Sequence, residues 1–285
     1  MLFSLLPTTA LAANYPGASS VNIDGNKPFG SPSKLHFKNG DLIDKFTGDA
    51  TDFNAAYDET TGTLTLKKYD GGQITIGGAS AYDLTIKLIG DNTITVNGYD
   101  GITTAGNGSN ITITADSGSS GKLTINVNSS ATDAVGINNY YGAGSSGNVT
   151  IKGYADVTIN ATTNSKDRGS YGIYADNVVI EDHAKAAITA NAPSNEGGGL
   201  VYGIFAKKNV TINTAGEVTV DASKAGTGNR VYSTGVNSQG RNLTLKKVGG
   251  MTVKWNSESG TQGEPFYPNA SFDSNAYDYH VNKDD

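Results

Sequence analysis

Cysteine is absent from all 285 residues. That excludes a disulfide framework, a thiol nucleophile and a thiolate metal site, so stability must come from packing and backbone hydrogen bonds. Arginine is scarce, with only Arg168, Arg230 and Arg241, and the formal charge is −6. Binding nucleic acid in general needs clustered Lys and Arg to displace counterions from phosphates, so no nucleic-acid partner is expected. The chain has no run of eighteen apolar residues, and no membrane insertion is expected. Helix signals are also missing: Gly, Asn, Thr and Ser interrupt every window before an i, i+3, i+4, i+7 stripe can form. The three histidines, His36, His183 and His280, are too scattered to suggest a nucleophile, a base and an orienting acid. No enzymatic activity is expected.

What the chain does have is one short phrase, a small polar residue followed by apolar-Thr-apolar. It reads Asp83-Leu84-Thr85-Ile86, Asn110-Ile111-Thr112-Ile113, Asn148-Val149-Thr150-Ile151, Asn177-Val178-Val179-Ile180, Asn209-Val210-Thr211-Ile212 and Asn242-Leu243-Thr244-Leu245, with a first copy at Thr63-Leu64-Thr65-Leu66. Successive copies start 20, 27, 38, 29, 32 and 33 residues apart. Repetition on this scale marks stacked supersecondary units. A second strand signal follows each phrase, as in Leu123-Thr124-Ile125 and Val157-Thr158-Ile159. A third, Gly-apolar, comes later still, at Gly101-Ile102, Gly136-Ile137, Gly172-Ile173, Gly203-Ile204 and Gly235-Val236.

All three signals alternate apolar and polar residues and are rich in β-branched side chains, the pattern of strands with one buried face. A propeller blade wants about forty to fifty residues and four strands, and a sandwich would not repeat its first strand so regularly. The fold expected is therefore all-β: a single right-handed parallel β-helix of about six to seven rungs with three strands per rung. The small polar residue before each first strand is expected to form a vertical ladder, with Asn or Asp tolerating a left-handed turn there. Residues 1–13 resemble a secretory signal whose start is trimmed, with Ala10-Leu11-Ala12 as the cleavage rule, which places the protein outside the cell or on its surface. Residues 14–62 form an N-terminal capping region, 63–255 the β-helix and 256–285 a C-terminal tail or cap. Caps are needed because an open coil presents unpaired strand edges.

Departures from the repeat point to function. The connections after the second strand lengthen from Asn128 onward and leave one corner on successive rungs, and loops on rigid scaffolds carry function. On the third strand the apolar residue should point inward and its successor outward, which exposes Thr103, Asn138, Tyr174, Phe205 and Asn237. Tyr174 and Phe205, with Tyr140 and Tyr141 nearby, then make an aromatic strip of the kind sugars stack on. Tyr171, Tyr202 and Tyr232 are expected to anchor loops. Lys166, Arg168, Lys224 and Arg230 offer charged contacts to an acidic sugar. The candidate ligand-binding set is Tyr174, Phe205, Tyr140, Tyr141, Arg168 and Arg230. Glu181-Asp182-His183 is the best acid-rich triplet and is read as surface acids. No metal site or cofactor is assigned; calcium, an ion that takes oxygen ligands, is left open.

The run Ala56-Tyr57-Asp58-Glu59-Thr60-Thr61-Gly62-Thr63-Leu64-Thr65-Leu66, followed by Leu84-Thr85-Ile86-Lys87-Leu88-Ile89-Gly90-Asp91-Asn92-Thr93-Ile94 and the later Gly-Ile and Leu-Thr-Ile phrases, resembles a family of bacterial surface β-helix proteins. These are carbohydrate-binding, adhesin-like proteins, related in shape to pectate lyases. The resemblance implies a polysaccharide or host glycan as partner, with calcium in some members. Val179-Ile180-Glu181-Asp182-His183 is similar to a pectate lyase strand phrase but lacks its tryptophan and its catalytic companions. The expectation is a non-catalytic extracellular module that binds glycan along one flank of the coil. The alternatives are a calcium-dependent, pectate-type polysaccharide lyase and a structural spacer of a cell-surface protein.

Overall fold

The computed structural model describes residues 20–23, 34–38, 41–44, 53–77, 83–104, 108–140, 147–226, 231–239, 242–246, 248–256, 262–267, 271–272 and 280–283. The signal-like segment 1–13, Tyr141 and Arg230 lie outside them. Every element described is a strand or a turn, and the strands coil into a parallel β-solenoid with three sheets.

The three sequence signals map one to one onto the three sheets. Sheet 1 stacks the apolar-Thr-apolar phrases, from Thr63–Lys67 through Asp83–Ile89, Asn110–Ala115, Val149–Gly153, Val178–Asp182 and Val210–Thr214 to Leu243–Leu245. Sheet 2 stacks Asp91–Asn97, Lys122–Ser129, Asp156–Thr163, Lys185–Asn191, Glu217–Ala222 and Gly250–Trp255. Sheet 3 stacks the Gly-apolar strands Asp100–Thr104, Ala134–Asn138, Ser170–Ala175, Leu200–Ala206 and Tyr232–Asn237. Each strand pairs in parallel with its equivalents in the rungs before and after it, so like residues stack on like. Ile113 lies beside Ile86 and Ile151, and Ile159 beside Ile125 and Ile188. These side chains are fully buried and form one continuous core. Such a core exists only when rungs stack, because a single rung leaves its apolar face open above and below.

The first rung is offset. Leu64 pairs with Ile86 and not with Leu84, a slip of two residues against the sequence phrase. A two-residue slip keeps every side chain on its own face, so the burial pattern survives it.

The polar ladder at the corner before sheet 1 is continuous. Asn110 Nδ2 donates to Asp83 Oδ1 at 2.7 Å, Asn148 Nδ2 to Asn110 Oδ1 at 2.8 Å, Asn177 Nδ2 to Asn148 Oδ1 at 2.6 Å and Asn209 Nδ2 to Asn177 Oδ1 at 2.9 Å. The Asn242 backbone N–H donates to Asn209 Oδ1 at 3.3 Å. All the amides therefore point the same way, and Asp83, an acceptor-only carboxylate, ends the series where only an acceptor can. The expected left-handed backbone is not the reason for asparagine here, since the described non-glycine residues at positive φ are Lys68, Asp182 and Gln239. Asparagine is used because one side chain can both donate and accept along the stack.

Sheet 3 departs from simple alternation. Its ladder skips the glycine in each rung: Val135 pairs with Tyr171 and Ile137 with Ile173, with no pairing of Gly136 to Gly172. A Cβ at Gly172 would collide with Ile188 Cγ2 of sheet 2 and with the Gly203 carbonyl oxygen, and the same holds rung by rung at Gly136 and Gly203. The strand bends there because only glycine allows sheet 3 to come so close to sheet 2. Gly172 and Ile173 are both buried, while Tyr171 and Tyr174 on either side of them are only part-buried.

At the N-terminal end, Ala55–Asp58, Lys34–Lys38 and Asp41–Asp44 extend sheet 1 with antiparallel strands, and Ser20–Ile23 pairs antiparallel with Ile74–Gly77 of sheet 3. At the other end the sequence suggests a tail or cap. There Gln262–Tyr267, Ser271–Phe272 and His280–Lys283 each add a parallel strand to one sheet.

Candidate functional site

The bend at the sheet 3 glycines sets up an aromatic block. Because Gly172 and Ile173 both turn inward, Tyr171 and Tyr174 end on the same side, where strict alternation would part them. Their rings stack with centroids 5.1 Å apart. In the next rung Tyr202 pairs with Tyr171 and Phe205 with Tyr174, which gives a two-by-two array across adjacent strands. Tyr202 and Phe205 stack at 5.0 Å, and Tyr174 meets Phe205 edge-on at 4.8 Å. Tyr140 stacks on Tyr174 at 4.4 Å, and the Lys207 ammonium lies 3.9 Å from the centre of the Tyr140 ring.

Tyr140, Tyr174 and Phe205 thus come together as the sequence suggested, but their exposure differs. Phe205 is only 6% exposed and is covered by its neighbours, so it supports the block and presents no ring of its own. Asn237, expected outward, is buried as well. Tyr171 and Tyr202, read as loop anchors, are instead members of the block. The signal that could have found them is the Tyr-Gly-Ile phrase at Tyr171-Gly172-Ile173 and Tyr202-Gly203-Ile204, in which the glycine bends the strand. Farther along the sheet, Tyr232 and Tyr267 are 40% and 44% exposed and extend the aromatic surface toward the C-terminal rungs.

The block is weakly solvated at its phenols. Burial raises the pKa of Tyr171 and Tyr174 well above the ordinary phenol value, with the nearby Asp133 charge adding to it. Tyr202 is pushed up to about 12, mainly by burial and then by the charge of Glu264. Asp100, the register partner of Val135, has its carboxyl raised, also chiefly by burial; hydrogen bonds from Asn138 and Thr103 pull the other way. The phenols are therefore neutral donors at physiological pH, edged by carboxylates.

The lengthening loops between sheets 2 and 3 are bonded to one another from rung to rung. Lys166 O accepts the Glu196 N–H at 2.7 Å, Ala192 and Ala225 form a parallel bridge, and Asn195 Nδ2 donates to Arg168 O at 2.6 Å. Asn195 Oδ1 accepts the N–H groups of Gly197, Gly198 and Gly199, each at 3.1 Å, which fixes the turn. Arg168 is exposed in this wall, two residues before the strand Ser170–Ala175. Lys166 is paired with Glu196 at 3.3 Å. At the corner between sheets 1 and 2, Asp182 takes a left-handed conformation and accepts the Gly153 N–H at 3.1 Å, and His183 stacks on Tyr154 at 4.6 Å. The acid-rich triplet therefore shapes a turn. Among the described residues no group of three or more His, Asp or Glu side chains is gathered so that it could hold a metal ion.

An open pocket of about 400 Å³, which the sequence did not suggest, lies where the loop staircase begins. Its walls include Asn97, Tyr99, Asn128, Ser130, Thr132 and Asn164.

The fold and this face define the chain as a parallel β-solenoid with an aromatic flank on one sheet. No protein-family model, curated protein or solved structure matches it.

Proposed function

We propose that the protein is a carbohydrate-binding, adhesin-like surface module that takes a polysaccharide or host glycan along the outer side of sheet 3. The observation that carries this reading is the gathering of Tyr140, Tyr171, Tyr174, Tyr202 and Phe205 on one sheet, with Tyr232 and Tyr267 exposed beyond them. Rungs repeat about every 4.8 Å, so rings on successive strands give a row parallel to the coil axis, suited to an extended polymer. The C–H faces of pyranose rings pack on such rings, and neutral phenols together with the flanking carboxylates Asp100 and Glu264 supply partners for hydroxyls. Arg168 stands at the edge of the loop wall as a contact for acidic sugars. A spacer needs only the stacked core and gains nothing from a cluster of aromatic rings on sheet 3.

The test is depletion from solution by insoluble plant polysaccharides, together with a glycan array, for the native protein and a Tyr232→Ala/Tyr267→Ala variant. The native protein should bind at least one glycan, and the variant should bind it about tenfold more weakly. No binding on either platform by the native protein overturns the proposal.

A further inference from the structure

The pocket at the start of the loop staircase shares no residue with the sheet 3 face, and its chemistry differs. It exists because the connections grow: Gly98 and Tyr99 alone join Asp91–Asn97 to Asp100–Thr104, four residues join Lys122–Ser129 to Ala134–Asn138, and six join Asp156–Thr163 to Ser170–Ala175. The shortest connection leaves a step, and the longer ones overhang it.

The walls are held in place. Gly98 N–H donates to Asn128 O at 2.9 Å, Val135 N–H to Tyr99 O at 2.8 Å and Asn164 N–H to Ser129 O at 2.8 Å. The hydroxyls of Ser129 and Thr132 bond each other at 2.6 Å, and Thr163 Oγ1 donates to Thr132 O at 2.7 Å. Against this fixed frame the side-chain amides of Asn97, Asn128 and Asn164 make no hydrogen bond within the described residues. The amides of the ladder, of Asn139 and of Asn195, by contrast, are committed to hydrogen bonds. Tyr99 is 60% exposed, the most open of the large apolar side chains described. No charged side chain lines the pocket.

From this we infer that the pocket is a second binding site, for a single neutral sugar unit or the neutral end of a glycan chain. Three uncommitted amides each offer donors and an acceptor, which matches a ligand whose hydroxyls do both. Tyr99 supplies the one ring for its apolar face. The volume lies within the range of small-molecule sites, and the absence of charge selects against uronic acids and amino sugars with free amines. A peptide would want apolar side pockets, which this site lacks.

Saturation-transfer NMR on the full chain tests it, with glucose, galactose, mannose and N-acetylglucosamine as probes and glucuronic acid as the charged control. At least one neutral sugar should receive saturation. Its affinity should fall about tenfold in Tyr99→Ala and measurably in Asn128→Ala, and stay unchanged in Tyr232→Ala/Tyr267→Ala. Thermal melting of each variant confirms folding, and Asn128→Ala alone serves if Tyr99→Ala is perturbed. No transfer to any neutral sugar overturns the site, as does transfer undiminished in both pocket variants or a preference for glucuronic acid. Because the sheet 3 variant leaves this pocket intact, failure here and failure of the polymer-binding flank are read separately.

Discussion

At the corner that opens sheet 1, asparagine amides are used up rung by rung, each donating to the one before until Asp83 ends the series. Where sheet 2 ends and the connections to sheet 3 begin, the side-chain amides of Asn97, Asn128 and Asn164 make no hydrogen bond in the described protein, and the connections themselves change length at every step. The same residue type serves two ends. In the ladder each amide turns to an equivalent residue one strand away and becomes scaffold. Asn97 and Asn128 are in register too, but they stand exposed at the ends of their strands, where connections of unequal length begin, and their amides are left for a ligand. Sheet 3 lies between these cases: its backbone is strictly repeated, but its outward positions change from Asn138 to Tyr174 to Phe205 to Asn237.

The comparison breaks first at the scaffold. Gly172→Val should cost about 3 kcal/mol in urea denaturation, because the new side chain meets Ile188 and the Gly203 carbonyl with no room to move. A result near zero would mean that the bend tolerates a side chain and that the glycine column is not what sets the aromatic block. The two classes of asparagine separate next. Asn148→Ala removes a donor to Asn110 and an acceptor for Asn177 and should cost about 2 kcal/mol. Asn128→Ala should stay within about 0.5 kcal/mol of the native protein. Equal costs would erase the distinction between the corners.

The smallest effect concerns pH. Burial holds the Asp100 carboxyl above its ordinary value of 3.8 in the folded chain, so the native state keeps this proton to higher pH than the unfolded state does. Between that value and the raised native one, stability falls as pH rises. Asp100→Asn should flatten this part of the profile, read as the difference between urea midpoints of the two proteins across mildly acidic pH. Identical slopes would show that the hydrogen bonds from Asn138 and Thr103 cancel the burial.

Much of this was legible in the residues. Leu84-Thr85-Ile86 and its copies carry strand, face and stacking partner at once, because period-two alternation decides burial locally and identical phrases decide who stacks on whom. The ladder was legible for the same reason, although its cause is side-chain bonding and not turn geometry. The exposure of the aromatic rings was not legible. Alternation assigns Phe205 outward correctly, yet whether an outward ring is open depends on what the neighbouring rungs set against it. Tyr171 and Tyr202 were misplaced because a glycine bend between two outward residues breaks the alternation that places them.

By itself, the sequence determined the coil: three strand signals per repeat, an apolar core and a polar ladder, all consequences of local pattern multiplied by repetition. The tertiary structure decided the flank and the pocket. Tyr140 reaches Tyr174 only because the chain folds back across rungs, and Tyr99 lines one pocket with Asn128 and Asn164 only because connections of unequal length follow the paired strands of sheet 2. Both depend on contacts between residues tens of positions apart, which no local pattern encodes.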